Sequence, residues 1–184
     1  TSASLGTVGD AAALTSLAVT ADELRLNGDV TTNGSAFTVD FGAVGSTMVM
    51  QDLTIDISAG TGASAWFGDL VGGTVGGTNA LSVIAGSGNG VVFGGQVSEL
   101  TGLDVIGQNI VFRDDVALNG SLDVTAVGGA SSFIGVGGSV VANNGGIALR
   151  VDPAGEIELW GDLTADDDIL LGSGFVTLEA STVA

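Results

Sequence analysis

Apolar residues recur at every second position in short runs along the whole chain. The runs are Leu17-Ala18-Val19, Leu24-Arg25-Leu26, Phe37-Thr38-Val39-Asp40-Phe41, Leu53-Thr54-Ile55-Asp56-Ile57, Leu81-Ser82-Val83, Leu103-Asp104-Val105, Leu122-Asp123-Val124, Ile147-Ala148-Leu149-Arg150-Val151, Ile157-Glu158-Leu159 and Val176-Thr177-Leu178. A period of two gives an extended segment one apolar face and one face of Thr, Ser, Asp, Arg or Glu. Between the runs lie Asn27-Gly28, Asn33-Gly34, Asn89-Gly90, Asn119-Gly120, Asn144-Gly145 and the Gly clusters at 72–73 and 86–88. Asn and Gly tolerate the positive φ that sharp corners need. Only Gly9–Thr20, with a short Ala-rich run, leans towards helix.

Short strands with frequent corners suit a solenoid, a two-sheet sandwich or a barrel. The spacing favours the solenoid, because similar Leu-Asp-Val units at 103 and 122 lie 19 residues apart. A coil of roughly 20 residues divides the chain into about nine coils, each rising ~4.8 Å. A transmembrane barrel needs strands of ~9–11 residues and aromatic girdles; here the runs are shorter and Tyr is absent. A sandwich built from half the chain is the other competitor.

Residues 14–35 (LTSLAVTADELRLNGDVTTNGS) are nearly repeated at 100–121 (LTGLDVIGQNIVFRDDVALNGS), at a constant offset of 86 without a gap. Identical pairs include Leu14/Leu100, Leu17/Leu103, Val19/Val105, Val30/Val116 and Asn33/Asn119, while Leu24/Ile110 and Leu26/Phe112 exchange one apolar residue for another. Self-similarity at a fixed offset marks a repeat protein, in which units bury their apolar faces against their neighbours. The expected organisation is one domain over 1–184 with internal repeats at about 14–99 and 100–184. Leu17, Val19, Leu24, Leu26, Leu103, Val105, Ile110 and Phe112 are the expected core.

Composition narrows the class. Gly accounts for 32 of 184 residues and Pro for one, yet 45% of the chain is hydrophobic, enough apolar material to fold. There are 21 acids against three arginines, with no Lys and no His, for a net charge of −18. Nucleic acid and anionic membrane surfaces require clusters of Lys and Arg, so neither is an expected partner. Charge repulsion of this size keeps exposed strands apart in solution. A divalent cation such as Ca²⁺ is the natural counter-ion for such a surface. The absence of Cys leaves no disulfide framework and no thiolate metal site. No apolar run reaches the ~18–20 residues of a membrane helix. Opening at Thr1 without a signal peptide is expected of a processed chain or of a segment of a longer one.

No catalytic constellation stands out, and no catalytic, cofactor-binding or metal residue is assigned. Without His or Cys the common triads and most zinc sites are excluded. Asp56, Asp104 and Asp123 occupy polar positions of alternating strands and would form a row along a solenoid. A carboxylate pair can cleave sugars, but a solvated face is the simpler reading. Asp166-Asp167-Asp168 and Asp114-Asp115 are the densest acidic clusters, read as charged turns or as oxygen ligands for Ca²⁺. Arg113 is read as pairing with its acidic neighbours. Asn33-Gly34-Ser35 and Asn119-Gly120-Ser121 match the N-glycosylation sequon, and equally the demands of a tight turn. GGTVGG at 72–77 has no Lys and no following helix, so it is not read as a phosphate loop. Trp66 and Trp160 are too few to form the aromatic platforms of a carbohydrate-binding groove.

The phrases GTVG at 6–9, LTSLAV at 14–19, LNGDVTT at 26–32 and VVFGG at 91–95 resemble the strand-repeat regions of large secreted bacterial surface proteins of the filamentous-haemagglutinin and autotransporter-adhesin type. The resemblance implies an extracellular parallel β-solenoid forming a stalk or fibre. The expectation is therefore an all-β parallel β-solenoid, a non-enzymatic building block of a fibre, sheath or adhesin stalk at the cell exterior. The alternatives are a Ca²⁺-dependent surface-layer lattice and a carbohydrate-binding or carbohydrate-cleaving β-helix. Neither end carries a capping proline, helix or charge run. Uncapped solenoid edges invite head-to-tail self-association into filaments, with contact to the cell surface or to polysaccharide as the further partner.

Overall fold

A computed structural model describes residues 1–12, 14–34, 39–72, 78–172 and 175–178. Its 23 strands form three parallel sheets of eight, seven and eight strands. The chain visits the sheets cyclically, so the sheets become the three faces of a β-solenoid. Ser2–Leu5 and Leu163–Ala165 are the edge strands of the first face, Val30–Thr31 and Ile169–Gly172 those of the second, and Leu17–Ala18 and Phe175–Leu178 those of the third. The only helix among the described residues is a 3-10 turn at Gly129–Ser131. Gly9–Thr20, read as leaning helical, instead holds bends, the isolated bridge of Leu14 to Thr32 and the strand Leu17–Ala18.

The solenoid has about seven turns rather than about nine. Register carries Ala3 through Leu24, Thr47, Leu70, Val97, Val116 and Val140 to Leu163 in seven steps, about 23 residues per turn. The 19-residue step from Leu103 to Leu122 is at the short extreme, whereas Leu53 to Leu81 takes 28. Corners of variable length make up the difference.

Alternation becomes columns. Leu53, Leu81, Leu103, Leu122, Ile147 and Ile169 stack in register on the second face; Val39, Ala65, Val91, Ile110, Ile134 and Ile157 do so on the third. Beside the latter runs Phe41, Phe67, Phe93 and Phe112, all fully buried. Successive centroids lie 5.9, 5.1 and 4.7 Å apart, the first pair edge-on and the next two stacked. Of the expected core, Leu24, Leu26, Leu103, Val105, Ile110 and Phe112 are buried, while Leu17 and Val19 lie in the first turn and are only partly covered.

The corners explain the glycine content in a way positive φ does not. Among the Asn-Gly corners only Asn144 has a left-handed backbone, with φ 60°. At Gly28, Gly120 and Gly145, and at Gly161 after Trp160, the adjacent turn comes too close for a side chain. A Cβ at Gly120 would overlap the Thr101 carbonyl oxygen, and one at Gly161 the Gly138 carbonyl. Asn89 is buried for a different reason. Its Nδ2 donates to the Gly60 carbonyl at 2.9 Å and the Ile57 carbonyl at 3.2 Å, and its Oδ1 accepts from Ala63 N–H at 2.8 Å. One side chain thus closes a corner across two turns.

Candidate functional site

The expected acidic row is only half formed. Asp104 and Asp123 are direct neighbours in register on the outside of the second face, in the column Thr54, Ser82, Asp104, Asp123, Ala148. Asp56 belongs to the next column, where it pairs with Thr31 and Ile84. Partial burial and the adjacent Asp123 carboxylate push the Asp104 carboxyl above its ordinary value, with a hydrogen bond from Ser82 opposing them. Asp123 forms an ion pair with Arg150. An open cleft of about 530 Å³ runs past this pair, lined by Asp29, Asp52, Ala80, Ser82, Gly102 and Ser121 among others.

Six aspartates, however, hold corners together. Asp29 accepts from Thr54 N–H at 2.7 Å, Asp52 from Ala80 N–H at 2.8 Å, Asp69 from Gln96 N–H at 3.0 Å and Asp115 from Ser139 N–H at 2.8 Å. Each bond reaches the next turn. Asp166 and Asp152 reach back to the preceding turn, to Asn144 N–H at 2.8 Å and to Gly128 and Gly129 N–H at 2.8 and 2.6 Å. The two Asp152 bonds hold its carboxyl below the usual value. A charge-assisted bond to a corner N–H satisfies a donor that the ladder leaves unpaired. The signal lay in the sequence: Asp directly precedes the first inward residue at Asp29-Val30, Asp52-Leu53, Asp69-Leu70, Asp115-Val116, Asp162-Leu163 and Asp168-Ile169. Asp114-Asp115 and Asp166-Asp168 are thereby corner residues, and among the described residues no group of three or more acids is arranged to hold a metal ion. Of the two sequons, Asn119 donates its backbone N–H to the Leu100 carbonyl at a turn; Ser35, and residues 73–77 of the glycine run, lie outside the described residues.

Arg113 does not pair with its acidic neighbours. Its guanidinium lies over the indole of Trp66, 4.9 Å from the ring centroid, and makes no ion pair among the described residues. Trp66 projects outward from Ser64–Phe67 on the third face. Its ring lies against the corner where this face meets the first: a Cβ at Gly42 would meet Cδ1 at 2.6 Å, and one at Gly94 would meet Nε1 at 3.0 Å. That corner is a trough, because the residue following each Phe of the stack is small until Arg113. Gly68, Gly94, Arg113, Gly137 and Trp160 donate backbone N–H in turn to the carbonyls of Phe41, Phe67, Phe93, Phe112 and Val136, at 2.7–3.3 Å. Clefts of about 360 and 340 Å³ flank Trp66, one reaching Asp69 and Arg113, the other Asp40.

No family model, no curated protein and no solved structure matches this chain. The fold is compatible with a β-helix repeat protein. The resemblance to filamentous-haemagglutinin and autotransporter-adhesin repeats gains no support from these comparisons.

Proposed function

We propose that this chain is a non-enzymatic structural element of the cell exterior, a solenoid rod that builds a fibre, sheath or adhesin stalk by stacking head to tail. The observation that carries the reading is the pair of open, mutually compatible edges. The last described turn presents one edge strand on each face, and the inward columns of its third face are uncovered. Val176 and Leu178 are 41% and 52% exposed, whereas Ile157 and Leu159, one turn earlier in the same columns, are 0%. The first turn presents Ser2–Leu5 and Leu17–Ala18 in the same parallel sense. A second copy placed on the axis would continue the ladders and cover these columns, a heterologous contact that propagates as a filament unless its rotation closes. Its chemistry is backbone hydrogen bonding plus apolar burial, and it needs no catalytic group.

The net charge of −18 opposes contact between copies, so salt or a divalent cation promotes it. Sedimentation across a concentration series, in low salt, high salt and Ca²⁺, with negative-stain imaging, tests the reading. Filaments one rod wide are expected. A folded chain that stays monomeric at high concentration with Ca²⁺ present refutes stacking. Two-dimensional sheets point instead to the surface-layer alternative.

A further inference from the structure

We infer that the trough between the third and first faces binds an extended neutral polysaccharide, with Trp66 as its principal platform. This goes beyond the stacking reading and stands or falls without it. Two tryptophans are too few to suggest a platform from the sequence, and they stand 94 positions apart, yet the fold brings both to one edge. Trp66 belongs to the turn of Phe67, and Trp160 directly follows Leu159, four steps further along the same column. Trp160 is 45% exposed and its ring leans over Gly135 beside Phe133. Between the two indoles the floor is Gly94, Arg113 and Gly137.

Each element has a counterpart in sugar chemistry. The C–H face of a pyranose packs on an aromatic ring, while its hydroxyls need planar polar groups around the rim. Arg113 supplies up to five N–H donors and has no carboxylate partner among the described residues. Asp40 and Asp69 each commit one oxygen to a backbone N–H, from Gly42 at 3.0 Å and Gln96 at 3.0 Å, which leaves the other to accept from hydroxyls. Gly42 and Gly94 let the Trp66 ring itself lie against the backbone. The rise of ~4.8 Å per turn is close to the length of one pyranose unit in an extended chain, so a polymer lying along the axis meets a new turn at each sugar unit. The acids at the rim and the net charge of −18 select against uronates and sulfated sugars.

The experiment uses the whole chain and defined probes: β-1,4-linked glucose, N-acetylglucosamine and xylose hexamers, with polygalacturonate as the acidic comparison. Binding is read by calorimetry and by tryptophan fluorescence, which reports only Trp66 and Trp160. Saturable binding of at least one neutral hexamer is expected. Trp66→Ala should weaken it about tenfold or more, Arg113→Ala less, and Trp66→Phe least. Asp123→Asn, on another face, should leave it unchanged. Trp66→Phe and Arg113→Ala keep the test decisive if Trp66→Ala fails to fold: with both at wild-type affinity the inference is wrong. No saturation with any neutral hexamer, or tighter binding of polygalacturonate, also overturns it.

Discussion

Phe93 sits in the middle of the four-ring stack, fully buried, with Phe67 at 5.1 Å on one side and Phe112 at 4.7 Å on the other. Truncating a buried Phe to Ala costs ~3–5 kcal/mol through lost transfer energy and the cavity left behind. Two stacked partners, each worth ~0.5–1.5 kcal/mol beyond area, place Phe93→Ala at the upper end of that range. Phe93→Leu keeps most of the apolar area and loses mainly the ring pairs, so it should cost roughly 1–3 kcal/mol. Against a typical net stability of ~5–15 kcal/mol, the Ala variant removes a large share. Apart from Arg113 reaching Trp66 two turns away, each turn packs on its neighbours, so the weakening also loosens the coupling between the turns on either side. Trp66 lies one turn before Phe93 and Trp160 three turns after it. Urea unfolding followed by circular dichroism, and by fluorescence in Trp66→Phe and Trp160→Phe backgrounds, reads both effects. Transitions of the two indoles should coincide in the parent and separate in Phe93→Ala. A cost below ~2 kcal/mol for Phe93→Ala, or equal costs for Ala and Leu, would refute a packed aromatic column, because buried Phe truncation does not come so cheaply.

Asn89→Ala strips hydrogen bonds from the buried Ala63 N–H and from the carbonyls it bridges. Each buried group left unpaired costs ~1–3 kcal/mol, so the melting temperature should fall sharply; an unchanged melt would show that water replaces the side chain. Asp104 carries a carboxyl raised above 3.8 by partial burial and by Asp123. The folded state therefore holds this proton more tightly than the unfolded one, and ionisation destabilises the fold as pH rises above 3.8. Asp104→Asn should raise stability at neutral pH, with the gain vanishing below that value; a melting-temperature series across pH checks both the sign and the window.

Alternation revealed the strands whose outward residues are polar and concealed those whose outward residues are not. Ser64–Phe67, Gly90–Phe93 and Asn109–Phe112 carry Trp66, Val92 and Val111 on the outside, so the period of two disappears although the inward residues are ideal. Strands of two or three residues, such as Val97–Ser98 and Val140–Ala142, are too short to show a period. The fold class was legible because Leu103-Asp104-Val105 and Leu122-Asp123-Val124 share residue types at each position, as stacked turns require. The trough was not legible. Trp66, Arg113 and Trp160 share an edge only after whole turns have been wound, and variable corner lengths hide that Arg113 and Trp160 fall in one column, two positions along from that of Trp66. The corner aspartates lay between: the recurring Asp before an inward residue is visible in the sequence, but its bond to the neighbouring turn is not.

The offset of 86 acquires a meaning in the fold. From the strand of Leu17 to that of Leu103 is eleven strands, three full turns and two faces further. Matched segments therefore occupy different faces: Leu24 and Leu26 lie on the first, Ile110 and Phe112 on the third. The unit of similarity is a run of three strands with their corners, and a three-sided core accepts that run starting on any side. The differences between the copies follow their new columns. Ile110 stacks between Val91 and Ile134, and Phe112 adjoins Phe93, whereas Leu24 lies between Ala3 and Thr47, and Leu26 between Leu5 and Val49. If column neighbours choose the residue, carrying one copy's residue into the other must fail. Leu26→Phe places a ring between two aliphatic side chains at a fully buried site and should cost ~1–3 kcal/mol by overpacking. Phe112→Leu loses a single stacked partner, ~0.5–1.5 kcal/mol beyond its area. Thermal or urea unfolding of the two variants decides the point: a Leu26→Phe chain as stable as the parent would mean that the faces are interchangeable down to the side chain, and that the divergence between the copies owes nothing to packing.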